Sequence, residues 1–459
     1  MVNSIMNVKP EEIDTVKKRE KYQVCIIGCR KEGIFHACLF AQSGFKVTCF
    51  DVNRLLVERI SKGKSPYLQR KSRFSLKKHV KTGKLKATND IEQAVSESDV
   101  IIITTPVKID KKGRIDFLKL ENMCKQVGLA LQQGSLVIIM STVRPGTTEG
   151  LINKTLENVS GLKVNYHFGL AYSPIFLLKE SGLEKSIGHK RIVAARHKNS
   201  LEAASTIMGT ITNNSIMMTD DVKAAETTKL FRSVQHCVNT ALANELALFC
   251  EKENLDFFQI QNLAQTDTYE MSIQPSIGCQ SICEESRLLL LEAEELKAKL
   301  RIPSIAVSLN QKALRHAVDL IKAALRSCRK SFRTARISLI GISRTIDAKD
   351  LPAPSTLKLA KTLQTKGSKV SLYDPYLSGK KLIDLGYKFT RRLSDAIKGV
   401  DCLVLITGHS RFKRLSIKRL EVLGRMPVAV VDLVGILDPE KVETKGLIYR
   451  GLGRGVEEK

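Results

Sequence analysis

One stretch, Val24 to Asp51, constrains the fold of this chain more than any other, because a strand, a glycine turn, a helix and a second strand follow one another without a gap. The first strand reads VCIIG and leads into Gly28-Cys29-Arg30-Lys31-Glu32-Gly33; the helix IFHACLFAQSG follows, and then the strand KVTCF, ending at Asp51. In a Gly-x-Gly-x-x-Gly dinucleotide turn the first glycine makes the bend, the second admits the pyrophosphate to the backbone, and the third lets helix and strand pack closely. Arg30 occupies the second place. It either meets a pyrophosphate with a charged fork or is a plain surface arginine. The acidic residue closing the second strand is placed for ribose hydroxyls, which points to NAD rather than NADP. Gly28, Arg30, Gly33 and Asp51 are therefore the first candidate cofactor residues.

The alternation continues downstream. SDVIIITTPV (98–107) and GSLVIIMSTVRPGTTEG (134–150) read as buried strands, each opening into a turn. Repeated strand-helix units imply a parallel sheet with helices on both faces, and ligands then sit beyond the carboxyl ends of the strands. Gly28, Thr105 and Ser141-Thr142 gather there, so Thr105 and Thr142 join the cofactor set. From Asp221 to Glu253 the pattern becomes one long helix, and a second is expected over Ser308 to Ser327. Between them lies the loop QPSIGCQSICEES, and ARISLIGIS, SKVSLYDPY, VDCLVLITGH, PVAVVDLVG and GLIYRGLG then resume strand-helix units. The fold class is α/β, with two Rossmann-like parallel-sheet domains joined by a central helical domain with a long connecting helix.

Composition narrows the class. With 459 residues and 43% hydrophobic content, the chain suits a soluble enzyme of two or three domains. No apolar run approaches the roughly 20 residues of a membrane span, and residues 1–20 are polar rather than signal-like, so a cytoplasmic protein is expected. Eleven scattered cysteines suit reduced thiols, with neither a disulfide framework nor a metal site. The net charge of +27 has three readings: a generally basic surface, a field that attracts an anionic nucleotide substrate, or nucleic-acid binding. The last is weakest, since aromatic residues make up 5% and Trp is absent, and no nucleic acid is expected as a partner. The densest basic run, Lys62 to Lys86, reads as one solvated helix.

The motifs in order resemble the UDP-glucose/GDP-mannose dehydrogenase family over nearly the whole chain. They include DVN at Asp51, GKSPY at Gly63, TGKLKATND at Thr82, TTP at Thr104, STVRPGTTE at Ser141, SPIFL at Ser173 and AAETTK ending at Lys229. Asn244, the loop carrying Cys283, YDPY at Tyr373, TGHSRFKRL at Thr407, VVDL at Val430 and YRGLGRG at Tyr449 continue the series. The resemblance implies a polar tail over 1–20, an NAD-binding domain over 21–218, a central helical domain used for homodimerisation over 219–328, and a UDP-sugar-binding domain over 329–459. It also implies a role in polysaccharide biosynthesis: a UDP-sugar of the UDP-glucose or UDP-N-acetylmannosamine type is oxidised twice, from primary alcohol to uronate, with two NAD consumed. Cys283 takes the position of the nucleophile that forms a thiohemiacetal and then a thioester. Lys229 takes that of the lysine that stabilises the oxyanion and contacts substrate. Thr142 falls among the catalytic positions as well as the cofactor set, and Gly278 falls in the substrate loop.

Several neighbours depart from the family pattern. Ile175 stands where a glutamate is usual, Ser233 where an asparagine is, Gln280-Ser281 where paired glycines are, and Ser286-Arg287 where a Lys-Asp pair is. In the last domain Arg344-Thr345 replaces Phe-Lys, and Val434 replaces an arginine. Glu284 and Glu285 are candidates for the missing carboxylate, and Glu226 is spaced for a surface ion pair with Lys229. Two readings follow: a dehydrogenase with altered machinery, or a catalytically impaired nucleotide-binding paralogue.

Overall fold

Strands that are apolar at every position need cover on both faces, and that requirement organises both sheets. The computed structural model describes residues 5–68, 70–110, 113–176, 190–213, 215–265, 274–278, 280–347 and 351–455. They fall into two compact units, one built from residues up to Arg232 together with Leu288–Lys299, the other from Ser233–Arg287 together with residues from Leu300 onward.

In the first unit the strands are β1 (Gln23–Ile27), β2 (Lys46–Phe50), β3 (Leu85–Thr88), β4 (Val100–Ile103), β5 (Lys108–Ile109), β6 (Ile115–Asp116), β7 (Leu136–Ile139), β8 (Gly169–Tyr172), β9 (Arg191–Ala194) and β10 (Ile216–Thr219). Eight of them form one sheet in the order β10-β9-β8-β7-β4-β1-β2-β3, while β5 and β6 pair as a short antiparallel ladder. Within the large sheet all pairings are parallel except β8 with β9. Alternate residues of β1 feed two different cores, as a period of two requires. Val24 and Ile26 pack with Phe40 and Phe45 on one face, and Cys25 and Ile27 with Val127 and Leu156 on the other. Each large aliphatic side chain so buried contributes on the order of 1.5–3 kcal/mol. Because β1 pairs with both β2 and β4, the winding reverses between β1 and β4, and a crevice opens beyond Ile27 and Ile103.

In the second unit β11 (Arg336–Ile340), β12 (Lys369–Tyr373), β13 (Lys388–Thr390), β14 (Cys402–Leu405), β15 (Ala429–Asp432) and β16 (Ile448–Gly451) form an all-parallel sheet in the order β13-β12-β11-β14-β15-β16. The helix Arg301–Ser327 lays Ala317, Ile321 and Ala324 into the core that also holds Ile337, Leu339, Val404 and Val431. The long helix Val222–Lys252 runs from the first unit into the second. The expected α/β class with two parallel sheets and a helical middle is what the chain adopts. Among the described residues no helix is long and apolar enough to cross a membrane.

Three local expectations are corrected. The helix expected from Ser308 begins at Arg301, because Pro303 falls in its first turn, where the missing N–H costs nothing. The basic run Lys62–Lys86 is not one helix. Only Arg70–Lys81 is helical, Ser65 and Leu68 before it are buried around Pro66, and Leu85 already belongs to β3. The stretch carrying Cys283 is not a loop, since the helix Gln280–Glu295 has begun by then.

Gly33 is the tightest point of the first crossover. A Cβ there would lie 1.9 Å from the Gly28 carbonyl oxygen, which is backbone and cannot rotate away. Gly33→Ala is expected to cost about 1–3 kcal/mol of unfolding free energy in urea denaturation. Gly150→Ala, where nothing lies within 4 Å, should cost far less.

Candidate functional site

Gly28 has φ +92, and its N–H donates to the Phe50 carbonyl at 2.9 Å, closing the turn over the end of β2. Asp51 then ties the loop from below. Its Oδ2 accepts the Cys29 N–H at 2.9 Å, its Oδ1 accepts the Asn53 N–H at 2.9 Å, and the carboxylate is buried. Each oxygen keeps a second lone pair, which suits a ribose hydroxyl. Arg30, the residue before the helix Lys31–Ser43, has φ −73, a conformation open to any L-residue, and its side chain is exposed. Replacing glycine there strains nothing, and the guanidinium stands at the helix N-terminus, where an anion is favoured. Together the bend, the exposed amino end of the helix and the Asp51 acceptors fit a dinucleotide.

The other candidates sit at neighbouring strand ends. Thr104 Oγ1 lies 2.9 Å from the Ile27 carbonyl and 2.7 Å from that of Gly28, fastening β4 to the turn. Thr105 follows it, half-buried. Beyond β7, Ser141 Oγ donates to the Ile103 carbonyl at 3.3 Å, and Thr142 is half-buried beside it. Two anchors position the segment after Thr142. Arg144 holds Glu292 and Glu295, reaching the Glu295 Oε1 from Nη1 at 2.6 Å. Glu226, expected at the surface beside Lys229, is instead buried: it accepts the Gly146 N–H at 2.5 Å, the Thr148 N–H at 2.9 Å and the Thr148 hydroxyl at 2.6 Å. Burial pushes its carboxyl up to about 7 against those hydrogen bonds. Lys229, one turn on, is half-buried. Ile175 rests half-buried against the core rather than presenting a polar group, and the next residue, Phe176, carries the Arg232 guanidinium over its ring at 4.4 Å.

In the second unit the helices Val222–Lys252 and Gln280–Glu295 meet through two rungs. Cys237 Sγ lies 3.6 Å from Cys283 Sγ, and Ser233 Oγ donates to Glu285 Oε2 at 2.5 Å. Positions 233 and 237 are one helical turn apart, so both contacts fall along one face of the long helix, in one seam. Asn310 extends it: its Nδ2 donates to the Cys237 carbonyl at 2.8 Å and lies 3.3 Å from that sulfur, while Asn244 donates to its Oδ1 at 3.1 Å. Of the two candidate carboxylates, Glu284 is exposed and Glu285 is the one drawn into the seam. Arg287 is half-buried, and Ser286 is buried with its hydroxyl donating to the Ile282 carbonyl at 2.8 Å. Gly278 precedes the helix, exposed, its N–H held by Ser276 Oγ at 3.0 Å. The side chains of Gln280 and Ser281 lie outside the described residues. Sequence reasoning passed over Cys237 and Asn310, since nothing but tertiary packing brings them to Cys283.

The carboxyl end of the second sheet repeats the device of the first. Asp374 accepts the Ile342 and Ser343 N–H groups on Oδ2 at 3.0 and 2.9 Å, and the Tyr376 N–H on Oδ1 at 2.9 Å. His409 Nδ1 accepts the Asp347 N–H at 2.9 Å, so in the neutral ring Nε2 carries the hydrogen and donates to Asp374 at 3.2 Å. Burial opposes ionisation of Asp374, yet His409 and the backbone donors hold its carboxyl below the usual range. Arg344 is exposed, Thr345 is buried, and Val434 packs half-buried on the core around β14 and β15. Among the described residues no cluster of three His, Cys, Asp or Glu side chains is arranged to hold a metal ion.

Comparison with known proteins places these pieces. Residues 22–212 match the NAD binding domain, residues 223–312 the central domain and residues 339–439 the UDP binding domain of the UDP-glucose/GDP-mannose dehydrogenase family. A UDP-N-acetyl-D-mannosamine dehydrogenase of Pyrococcus horikoshii is 27% identical over 439 residues, which cover 94% of this chain and 99% of that one. UDP-glucose 6-dehydrogenase TuaD of Bacillus subtilis is 23% identical over 438 residues, covering 94% and 93%. Among solved structures, the UDP-D-ManNAc dehydrogenase of Pyrococcus horikoshii matches with a TM-score of 0.82 at 26% identity, covering 94% of this chain and 99% of its own. A UDP-glucose dehydrogenase from Pyrobaculum islandicum shares the fold, with a TM-score of 0.81 at 21% identity, covering 94% and 98%. The turn described above therefore belongs to an NAD-binding domain, with NAD as the cofactor.

Glu226 gives the site a pH signature. The folded chain keeps its proton up to about pH 7, whereas the unfolded chain releases it near the ordinary 4.5. The stabilisation this proton linkage contributes is complete below 4.5 and drains away as pH rises to about 7. Urea denaturation across that window should show the parent losing about 3 kcal/mol relative to Glu226→Gln. Parallel pH profiles in the two proteins would mean that the carboxyl is ionised throughout.

Proposed function

The chain belongs to the UDP-glucose/GDP-mannose dehydrogenase family, and from that premise we propose that it is an NAD-dependent dehydrogenase that oxidises the primary alcohol of a UDP-sugar to a uronate, with Cys283 as covalent nucleophile. The sugar is of the UDP-glucose or UDP-N-acetylmannosamine type. The observation that carries the reading is the seam around Cys283, where a cysteine near a helix amino end is 6% exposed as a residue and a carboxylate, Glu285, is held two residues away by Ser233. A cysteine sulfur is a nucleophile able to attack a carbonyl and form a covalent intermediate.

Bound NAD supplies the acceptor for each hydride. Asp51 holds the adenosine ribose, Gly28 and Arg30 take the pyrophosphate, Gly33 keeps the helix close to the strand, and Thr105 and Thr142 line the far side of the crevice. The Cys283 thiolate adds to the aldehyde carbon produced by the first oxidation, so the aldehyde is never released. Loss of the second hydride leaves a thioester, which water hydrolyses to the carboxylate. Lys229 supplies the cation for the oxyanion at each tetrahedral stage, and Glu285 takes the proton from the attacking water, in place of the carboxylate whose position holds Arg287. Gly278 leaves room for the sugar diphosphate. The chain works as a homodimer, a reading supported by the exposed Leu242, Phe249, Leu255 and Leu263 of the second unit.

Pure protein incubated with NAD and a panel of UDP- and GDP-sugars is expected to yield two NADH per sugar for one of the UDP-sugars. Cys283→Ala should abolish uronate formation, and Lys229→Ala should lower kcat on the order of a hundredfold to a thousandfold. No NADH with any sugar would overturn the reading. Light scattering should return twice the 51.1 kDa chain mass.

A further inference from the structure

The pairing of Cys237 with Cys283 has no part in the chemistry above, and the geometry gives it one of its own. The two sulfurs are 3.6 Å apart, on separate helices. That separation is contact between two thiols rather than a bond, since a disulfide spans about 2.05 Å; rotation about the two Cα–Cβ bonds must close roughly 1.5 Å. The two residues are unequally exposed. Cys237 is 0% exposed, inside the long helix, while Cys283 is 6% exposed and stands in the first turn of its helix. Cys237 also has the Asn310 amide 3.3 Å from its sulfur, and that amide is fixed in orientation by Asn244 at its Oδ1. A donor at this distance supports negative charge on the Cys237 sulfur, as the attacking partner in a bridge-forming step requires.

We infer that Cys237 and Cys283 form a dithiol site that takes hydrogen peroxide as its oxidant and closes to an intrachain disulfide. The reaction runs in two steps. The Cys283 thiolate attacks one peroxide oxygen and breaks the O–O bond; hydroxide leaves and is protonated to water, and Cys283 becomes a sulfenic acid. The Cys237 sulfur then attacks the Cys283 sulfur, the S–OH bond breaks, and a second water carries away the oxygen and the Cys237 proton. Two thiols and one peroxide give one disulfide and two waters, and a small thiol reductant reverses the bridge through a mixed disulfide. Cys237 is thus the resolving thiol, protecting Cys283 from irreversible oxidation. On the reading proposed above, the bridge occupies the nucleophile and halts sugar oxidation. That consequence rests on the dehydrogenase reading, whereas the bridge itself does not.

The experiment follows thiols rather than turnover, so it holds even if no sugar is oxidised. Native full-length protein is treated with hydrogen peroxide, freed of the oxidant, and alkylated as it is unfolded in denaturant so that buried thiols react too, then digested and analysed by mass spectrometry, with dimedone added in parallel to trap sulfenic acid. The expected result is a linked peptide pair joining Cys237 to Cys283 that disappears with dithiothreitol, and little dimedone on Cys283. In Cys237→Ala the linked pair is absent and Cys283 carries the dimedone adduct or proceeds to sulfinic acid; in Cys283→Ala, Cys237 stays alkylatable. If either variant fails to fold, the linked pair in the parent decides alone. Two alkylated thiols at peroxide doses that oxidise other cysteines would overturn the inference. So would equal dimedone labelling of Cys283 in parent and folded Cys237→Ala.

Discussion

In both sheets the loop after the first strand is tied down by an aspartate at the end of the second, and the rest of the ligand-binding geometry hangs on that contact. Asp51 accepts the Cys29 N–H from the turn after β1 and the N–H two residues along its own loop, that of Asn53. Asp374 accepts the Ile342 and Ser343 N–H groups after β11 and, again two residues along, the Tyr376 N–H. The glycines that open the two turns donate in the same way, Gly28 to the Phe50 carbonyl at 2.9 Å and Gly341 to the Tyr373 carbonyl at 3.0 Å. A buried carboxylate costs several kcal/mol unless donors meet it, so removing the donor loop would leave an unpaired charge. The carboxylate therefore works as a backbone template as much as a ligand group, because its first partners are peptide N–H groups and any ligand takes the lone pairs that remain.

Burial of the strands explains why the chemistry collects where it does. Val24 to Ile27, Val100 to Ile103 and Leu136 to Ile139 are 0% exposed, and a parallel strand covered on both faces has no room for a reacting group along its length. Polar residues fall at the carboxyl ends, where the hydrogen-bond ladder runs out: Thr104 over the Gly28 carbonyl, Ser141 over the Ile103 carbonyl, Ser173 over the Ile192 carbonyl. Their first task is to finish the ladder. Thr105 and Thr142 come next along, both half-buried.

This division accounts for what the sequence reveals and what it hides. Gly28, Gly33, Asp51, the apolar strands and the long helix are legible because each is a local requirement of a bend, a close approach or a period. The two rungs of the Cys283 seam are not, since they join residues 46 and 52 positions apart. Glu226 is hidden for a related reason: its spacing to Lys229 permits a helix-surface ion pair, but the face it occupies is settled by the Gly146 to Thr148 segment packing on it, 78 residues away at Thr148. The start of the helix at Arg301 was hidden by Pro303, which reads as a breaker unless the first turn is already known.

The departures from the family pattern take on a different weight once their contacts are known. Taken singly, Ser233 loses an amide donor, and Glu285 is one of two candidate carboxylates nearby. Together they form one hydrogen bond, the serine hydroxyl donating to the Glu285 carboxylate. Arg30 likewise costs no backbone strain at φ −73 and brings a cation to a helix end that favours anions. Ile175 is different: it rests half-buried on the core, where an apolar side chain suits the packing. Ile175 therefore stands apart from Ser233 and Arg30, of which the first is met by a polar contact from the facing helix and the second sits on unstrained backbone.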